Sequence, residues 1–322
     1  MQLLMHPEDA EALVLERSGR LTRRELARAE LPRDVLEPGP RPRVLASGPP
    51  FDGQFVTGEE SSSLEVRAWE TLAVTQRIRL EESCEWWSLL ATSPDGRWVA
   101  AIDTGRAFHV FHVPSGQRAR QRLGAERVTA LAFSPTSQWL AALMTSPQGG
   151  RVRVWRLADG RPRVHIEALD RRALTTPTAS LRDVVGALAF SADGAQLALY
   201  ESSARGQDYH VDGWRGCVSA YDVLDGRLVW SADVDAALTG DLSTLDPLDY
   251  PDGVRTQLLY ARGGNALVFG TTAGGLVTLD SRDGALLEVH ALGTSQSILG
   301  LGHDRDGVLW VLTEHGHLIR VP

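Results

Sequence analysis

Six aspartates between residues 233 and 252, namely Asp233, Asp235, Asp241, Asp246, Asp249 and Asp252, have no arginine among them. Carboxylates at that density set up a local negative field that would attract a basic peptide or an arginine-bearing surface, with Tyr250 beside them as an aromatic contact. The competing reading is a solvated acidic connection. A calcium loop is disfavoured, because the glycine turn and alternating ligands of an EF-type loop are lacking. A second stretch, Glu201 to Gly216, mixes Arg205, Asp208, Tyr209, His210, Asp212, Trp214 and Arg215. Aromatic and arginine anchors of this kind dominate contact hot spots; Tyr209 and Trp214 folding back as a small satellite core is the other reading. Leu169 to Arg182 adds Arg171, Arg172 and Arg182, either a contact for an acidic partner or a solvated loop. Trp86 and Trp87 are adjacent, so in an extended segment one faces the core and the other is a candidate contact.

There is no GxxxxGK[ST] phosphate loop, no GxSxG elbow and no HExxH helix. His109 and His112 are three apart in a strand-like segment and face opposite ways, which argues against a shared metal. His315 and His317 share a face near Glu314 but sit in a hairpin turn, where surface histidines are the expectation. Cys84 and Cys217 lie too far apart in sequence to form a disulfide framework or a metal cluster alone, and read as ordinary thiols. No cofactor and no metal site is expected.

The partner class is bounded by charge. A net charge of -8 lacks the basic footprint that nucleic acid or an anionic membrane surface requires. All 33 basic residues are arginine, an expectation of GC-rich bacterial coding that also makes every long cationic side chain a planar fork suited to bidentate carboxylate pairing. No apolar run approaches the ~20 residues that span a bilayer. The start MQLLMHPEDAE lacks the basic and apolar regions of a secretory leader, so a cytoplasmic location is expected.

The elements that must position these loops repeat along the chain. Val128 to Gly160 is the most regular copy: an alternating run to Phe133, the turn Ser134-Pro135-Thr136-Ser137, an apolar run from Trp139 to Met144, and the alternating Val152-Arg153-Val154-Trp155 closed by Asp159-Gly160. Other copies turn at Ser93-Pro94-Asp95-Gly96, Ser191-Ala192-Asp193-Gly194, Arg262-Gly263-Gly264 and His303 to Gly307, with a further one around Phe51-Asp52-Gly53. Ser93 and Ser134 are 41 residues apart, the pitch of a four-stranded propeller blade. Leu13 to Leu21 aligns without gaps on Trp310 to Leu318, which supplies a seventh copy at the amino terminus. Residues Ala27 to Leu36 are expected as a donor strand for the last copy, a short helix, or the outer strand of the first.

These residues resemble the WD40 family of β-propellers over the whole chain. The family's Trp-Asp pair ending the third strand appears as Trp69-Glu70, Trp155-Arg156 and Tyr221-Asp222, with Phe111-His112 and Leu279-Asp280 as weaker versions. Its Gly-His signature before the first strand is missing, so its buried Asp-His-Ser/Thr-Trp network is not carried over. The expectation is an all-β chain forming a single β-propeller domain over 1–322, seven-bladed, or six-bladed with the amino-terminal strand closing the ring.

In a blade with antiparallel strands a to d, the a-b and c-d turns lie at one end and the b-c and d-a connections at the other. The tight Pro94-Asp95-Gly96, Asp193-Gly194, Asp225-Gly226 and Asp283-Gly284 turns fall in the first class. The insertions Glu81 to Trp86, Leu169 to Arg182, Glu201 to Gly216 and Val234 to Gly253 all fall in the second, the face WD40-like proteins commonly use for partners. The expected function is therefore a non-enzymatic scaffold, adaptor or regulatory subunit binding a protein partner with a basic or arginine-bearing surface. The resemblance implies a protease, ATPase or signalling protein as that partner. A propeller hydrolase or lyase with its site in the axial channel is the alternative.

Overall fold

The computed structural model describes residues 1–6, 9–16, 18–26, 32–35, 42–46, 53–59, 63–79, 87–103, 107–122, 126–146, 149–158, 161–173, 184–205, 213–234, 257–261, 263–271, 274–293 and 296–321. At 32–35, 42–44, 59, 121–122, 145–146, 149–151, 158, 161–173, 184–186, 201–205 and 213–216 the description is of the backbone alone. The chain is all-β, with seven antiparallel sheets and no α-helix among the described residues. Among the described residues no helix is long and apolar enough to cross a membrane.

Each sheet is a meander of sequence neighbours. Sheet 1 is β1 (Gln2–Met5), β2 (Glu11–Leu15), β3 (Leu21–Glu25) and β4 (Pro32–Val35). Sheet 2 is β5 (Pro42–Leu45), β6 (Gln54–Glu59), β7 (Ser63–Ala68) and β8 (Val74–Arg79). Sheet 3 is β9 (Trp87–Thr92), β10 (Trp98–Asp103), β11 (Ala107–His112) and β12 (Gln117–Arg122). Sheet 4 is β13 (Arg127–Phe133), β14 (Trp139–Ser146), β15 (Gly149–Ala158) and β16 (Arg161–Ala173). Sheet 5 is β17 (Val184–Phe190), β18 (Gln196–Arg205), β19 (Gly213–Asp222) and β20 (Leu228–Asp233). Sheet 6 is β21 (Leu258–Tyr260), β22 (Ala266–Gly270), β23 (Gly275–Asp280) and β24 (Leu286–Ala291). Sheet 7 has three strands, β25 (Ile298–His303), β26 (Leu309–Thr313) and β27 (Leu318–Arg320). The amino-terminal residues thus build a sheet of their own. Of the segment Ala27 to Leu36, Pro32–Val35 form an outer strand of that sheet, β4 pairing with β3, while residues 27–31 and 36 lie outside the described residues.

The first turn of sheets 3, 4 and 5 is set by one serine. Ser93 Oγ accepts the Trp98 N–H at 2.9 Å and donates to Asp95 Oδ1 at 2.6 Å. Ser191 repeats this with Gln196 and Asp193, at 2.9 and 2.6 Å. Ser134 accepts the Trp139 N–H at 3.1 Å, and Thr136 stands in for the aspartate. The turn then needs a left-handed residue, supplied by Gly96 and Gly194 at φ 67° and 71° and by Ser137 at φ 57°. The Ser137 hydroxyl accepts the Asp95 N–H at 3.1 Å, tying the turns of sheets 3 and 4 together.

Burial comes from packing sheet on sheet. Side chains alternate across a strand, so each central strand feeds two different cores. In β14, Leu140, Ala142 and Met144 pack with Trp98, Ile102, Phe108 and Val110 of sheet 3. Ala141 and Leu143 of the same strand pack with Leu188, Phe190, Leu197 and Leu199 of sheet 5. That two-sided burial is why Trp139 to Met144 is an unbroken apolar run, as expected of a strand covered on both faces. Equivalent cores join sheets 1 and 2 (Leu13 and Leu21 with Phe55 and Trp69), 2 and 3 (Val56 and Leu64 with Trp87 and Val99), 5 and 6 (Tyr200 and Trp230 with Leu258 and Phe269), and 6 and 7 (Val268 and Leu276 with Ile298 and Val311). The last core joins sheet 7 to sheet 1, with Trp310 and Leu312 against Leu3, Met5, Ala12 and Val14. Each fully buried Val or Leu in such a core contributes about 1.5–3 kcal/mol.

The contact between sheets 7 and 1 depends on two glycines in β25. A Cβ at Gly300 would lie 2.7 Å from Leu3 Cβ and 3.1 Å from Leu312 Cβ, and one at Gly302 would overlap the Met5 side chain. Polar ties reinforce the sequence of sheets. Gln2 Oε1 accepts the Leu45 N–H at 2.6 Å, and Gln257 Oε1 accepts the Leu301 N–H at 2.6 Å, each glutamine reaching the first strand of the next sheet.

Candidate interaction face

Meander order puts the second-to-third-strand connections and the sheet-to-sheet connections at one end of every sheet. The expected contact residues cluster at this end in sequence. Trp86, Asp208, Tyr209, His210, Asp241, Asp246, Asp249 and Tyr250 lie outside the described residues, as do Arg182 and Asp212. Arg171, Arg172, Arg205, Trp214 and Arg215 belong to strands described by their backbones.

The strands correct two of the expected loop boundaries. Glu201 to Gly216 is largely a hairpin extension: β18 continues to Arg205 and β19 starts at Gly213, with Ser203 opposite Arg215, Ala204 opposite Trp214 and Arg205 opposite Gly213. Likewise β16 runs to Ala173, placing Arg171 and Arg172 in a strand rather than a loop. Both extensions lack the hydrophobic alternation of the apolar core, and the ladder of the hairpin continues through Gly216 to Gly213. The hairpin brings positions 205, 214 and 215 together. By register, positions 205 and 215 share the face of sheet 5 that carries Tyr221, turned to sheet 4, whereas position 214 shares the face of Val218 and Ala220, turned to sheet 6. The arginine-bearing β16 belongs to sheet 4, on the first side, and Val234, which precedes the aspartate-rich connection in sequence, packs in the core shared with sheet 6.

The described side chains at this end include a polar cluster at the boundary of sheets 2 and 3. Asp103, the last residue of β10, accepts the Ala107 N–H on Oδ1 at 2.7 Å, and its Oδ2 lies 3.0 Å from His109 Nε2. His109 is 1% exposed, and Trp87 meets its ring edge-on at 5.4 Å while donating through Nε1 to the Ser63 carbonyl at 3.1 Å. Burial holds the His109 pKa below its ordinary value, opposed by the Asp103 hydrogen bond and charge and assisted by Arg118. His112 faces the other way, as its spacing from His109 predicts, with its ring 4.6 Å from that of Trp98 and Nδ1 2.7 Å from Ser115 Oγ.

A second buried ionic group lies on the side of sheet 2 turned to sheet 1. Glu65 is fully buried, pairs with Arg67 and accepts from Arg77 Nε at 2.7 Å, while Arg67 also donates to Thr57 Oγ1 and the Leu72 carbonyl at 3.1 and 2.9 Å. Neither ionic cluster was anticipated from sequence. The available signal was a charged pair two residues apart inside an apolar strand, Glu65 and Arg67, and an aspartate ending the apolar β10.

No group of three or more His, Cys, Asp or Glu among the described residues could share a metal ion. Ser93 and Ser191 have their hydroxyls committed to turn hydrogen bonds, and the Asp103–His109 pair is sealed by Trp87. Cys217 Sγ lies 3.2 Å from Ser231 Oγ, which is itself 2.9 Å from Ser219 Oγ. Neither a protein-family model nor a curated protein matches the chain.

Proposed function

We propose that the seven sheets close into a single seven-bladed, WD40-like β-propeller that acts as a non-enzymatic interaction module. The contact of sheet 7 with sheet 1 supports closure, because it completes a circuit in which every sheet packs on its two sequence neighbours. The observation that carries the functional reading is the asymmetry between the two ends. One end has serine- and glycine-based tight turns. The other has the connections from Ala173 to Val184 and from Asp233 to Leu258, and the β18–β19 hairpin that outruns its sheet. A rigid stack holding variable connections at fixed spacing suits recognition of a protein surface.

The partner presents a basic or arginine-bearing surface to the aspartates of the connection between β20 and β21, with the Arg205–Trp214–Arg215 hairpin as a neighbouring contact. Reversing Asp241, Asp246 and Asp249 to Arg, followed by affinity capture from lysate of the source cells and mass spectrometry, is the test. Loss of specific partners with retained thermal stability supports the reading. An unchanged partner set removes the acidic connection from it.

A further inference from the structure

We propose that the Asp103–His109 pair is an acid-sensitive joint, holding β11 to β10 and to sheet 2 at neutral pH and loosening as pH falls. The geometry assigns the tautomer. Asp103 Oδ2 faces His109 Nε2 at 3.0 Å, so the neutral ring carries its proton on Nε2 and donates it to the carboxylate. Nδ1 is then a bare lone pair, and it is buried without a hydrogen-bond partner among the described residues. A second proton would create a buried N–H with no acceptor, which is costly in a site this dry. The other Asp103 oxygen is already held by the Ala107 N–H at 2.7 Å, so the carboxylate cannot swing round to serve Nδ1 while that bond lasts.

The charges facing the ring among the described residues are few. From β10 comes Asp103; from β12 come Arg120, directly opposite His109, and Arg118, opposite Phe111 on the same face, with position 122 in line with them. Trp87 of β9 covers the ring edge. Sheet 2 turns Leu64 and Val66 of β7 and, by register, Ile78 and Gln76 of β8 towards it, while Glu65 and Arg77 lie on the opposite face. The Asp103 hydrogen bond and charge favour the imidazolium, but desolvation by burial outweighs them and Arg118 adds to it, so the neutral ring is favoured.

The sign follows. In an opened state, with Nδ1 hydrated, His109 titrates near its ordinary ~6.5. In the closed state its pKa is lower. Between the two values the open state binds more protons, so opening grows as pH falls, by at most about tenfold per pH unit. Above about 6.5 the two states bind protons equally and the joint has no pH dependence.

The test is an NMR titration of the full-length chain, labelled at histidine nitrogens and backbone amides. Expected results are an Nε2–H neutral tautomer for His109 with a midpoint below 6.5, and Ala107 amide exchange, corrected for intrinsic rate, that accelerates by up to tenfold per pH unit as pH falls from about 6.5 to that midpoint. His109→Gln keeps a donor for Asp103 without a titrating group, and its Ala107 exchange should be flat over the same range. A His109 midpoint at or above 6.5, or an identical acid response in His109→Gln, overturns the joint. Should that variant not fold, the wild-type midpoint and tautomer decide the matter.

Discussion

Arg24 donates to the Gly316 carbonyl at 2.7 Å, a bond between sheet 1 and sheet 7 across nearly the whole chain. Its neighbour Arg23 points the other way, donating to the carbonyls of Trp69 and Glu70 in sheet 2 at 3.1 and 2.8 Å. Successive residues of a strand face opposite sides, so two adjacent arginines on β3 grip both neighbouring sheets. Burial pushes the Arg24 pKa down while Glu16 opposes it, yet the group stays charged at any physiological pH.

Arg24→Ala removes a charge-assisted hydrogen bond and leaves the Gly316 carbonyl without that donor. A loss of about 1.5–3 kcal/mol in urea-denaturation stability is expected. Arg20→Ala, at an exposed position in the neighbouring turn, should stay within about 0.5 kcal/mol. Equal losses for the two would mean that the bond to sheet 7 contributes nothing.

Gly302 and Met5 should be energetically coupled. Gly302→Ala forces a methyl group into the Met5 side chain and is expected to cost about 1–3 kcal/mol. Met5→Ala opens space there and costs about 2–5 kcal/mol alone. In the double variant the cavity accepts the new methyl, so its loss should fall short of the sum by more than 0.5 kcal/mol. Simple additivity in the double-mutant cycle would show that β1 does not pack against β25 in solution.

The buried Glu65 should matter more as a partner than as a residue. Glu65→Ala leaves Arg67 buried without this counter-ion and is expected to cost about 3–5 kcal/mol. Replacing Glu65 and Arg67 together by Met should cost less than the single change, since no lone charge is left buried. Chemical denaturation of the three proteins decides the order; a double variant less stable than Glu65→Ala would contradict it.

Much of the fold was legible in sequence, because its signals are local. The Ser-Pro-Asp-Gly and Ser-Ala-Asp-Gly turns announce hairpins through the chemistry of one serine, one aspartate and one left-handed glycine. The match of Leu13–Leu21 to Trp310–Leu318 identifies the amino terminus as a further copy, and β2–β3 and β26–β27 occupy equivalent places in their sheets. The candidate contact residues were legible as composition but not as structure. Arg171, Arg172, Arg205, Trp214 and Arg215 read as loop because polar residues beyond a core carry no burial pattern, and only the ladder partners show that they extend strands.

The sequence by itself determined the repeating unit: period-two alternation and turn chemistry need no knowledge of distant residues. What the tertiary structure alone decided is which neighbour each face meets. In β14 Leu140 and Leu143 look alike in sequence, yet one packs on sheet 3 and the other on sheet 5. The same holds for charge. Glu65 and Arg67, Asp103 and His109, and the opposed Arg23 and Arg24 become a salt bridge, a buried hydrogen bond and a two-sided grip only once strand register and the adjoining sheet are in place. A polar residue in a strand carries no local mark of the partner that will cover it.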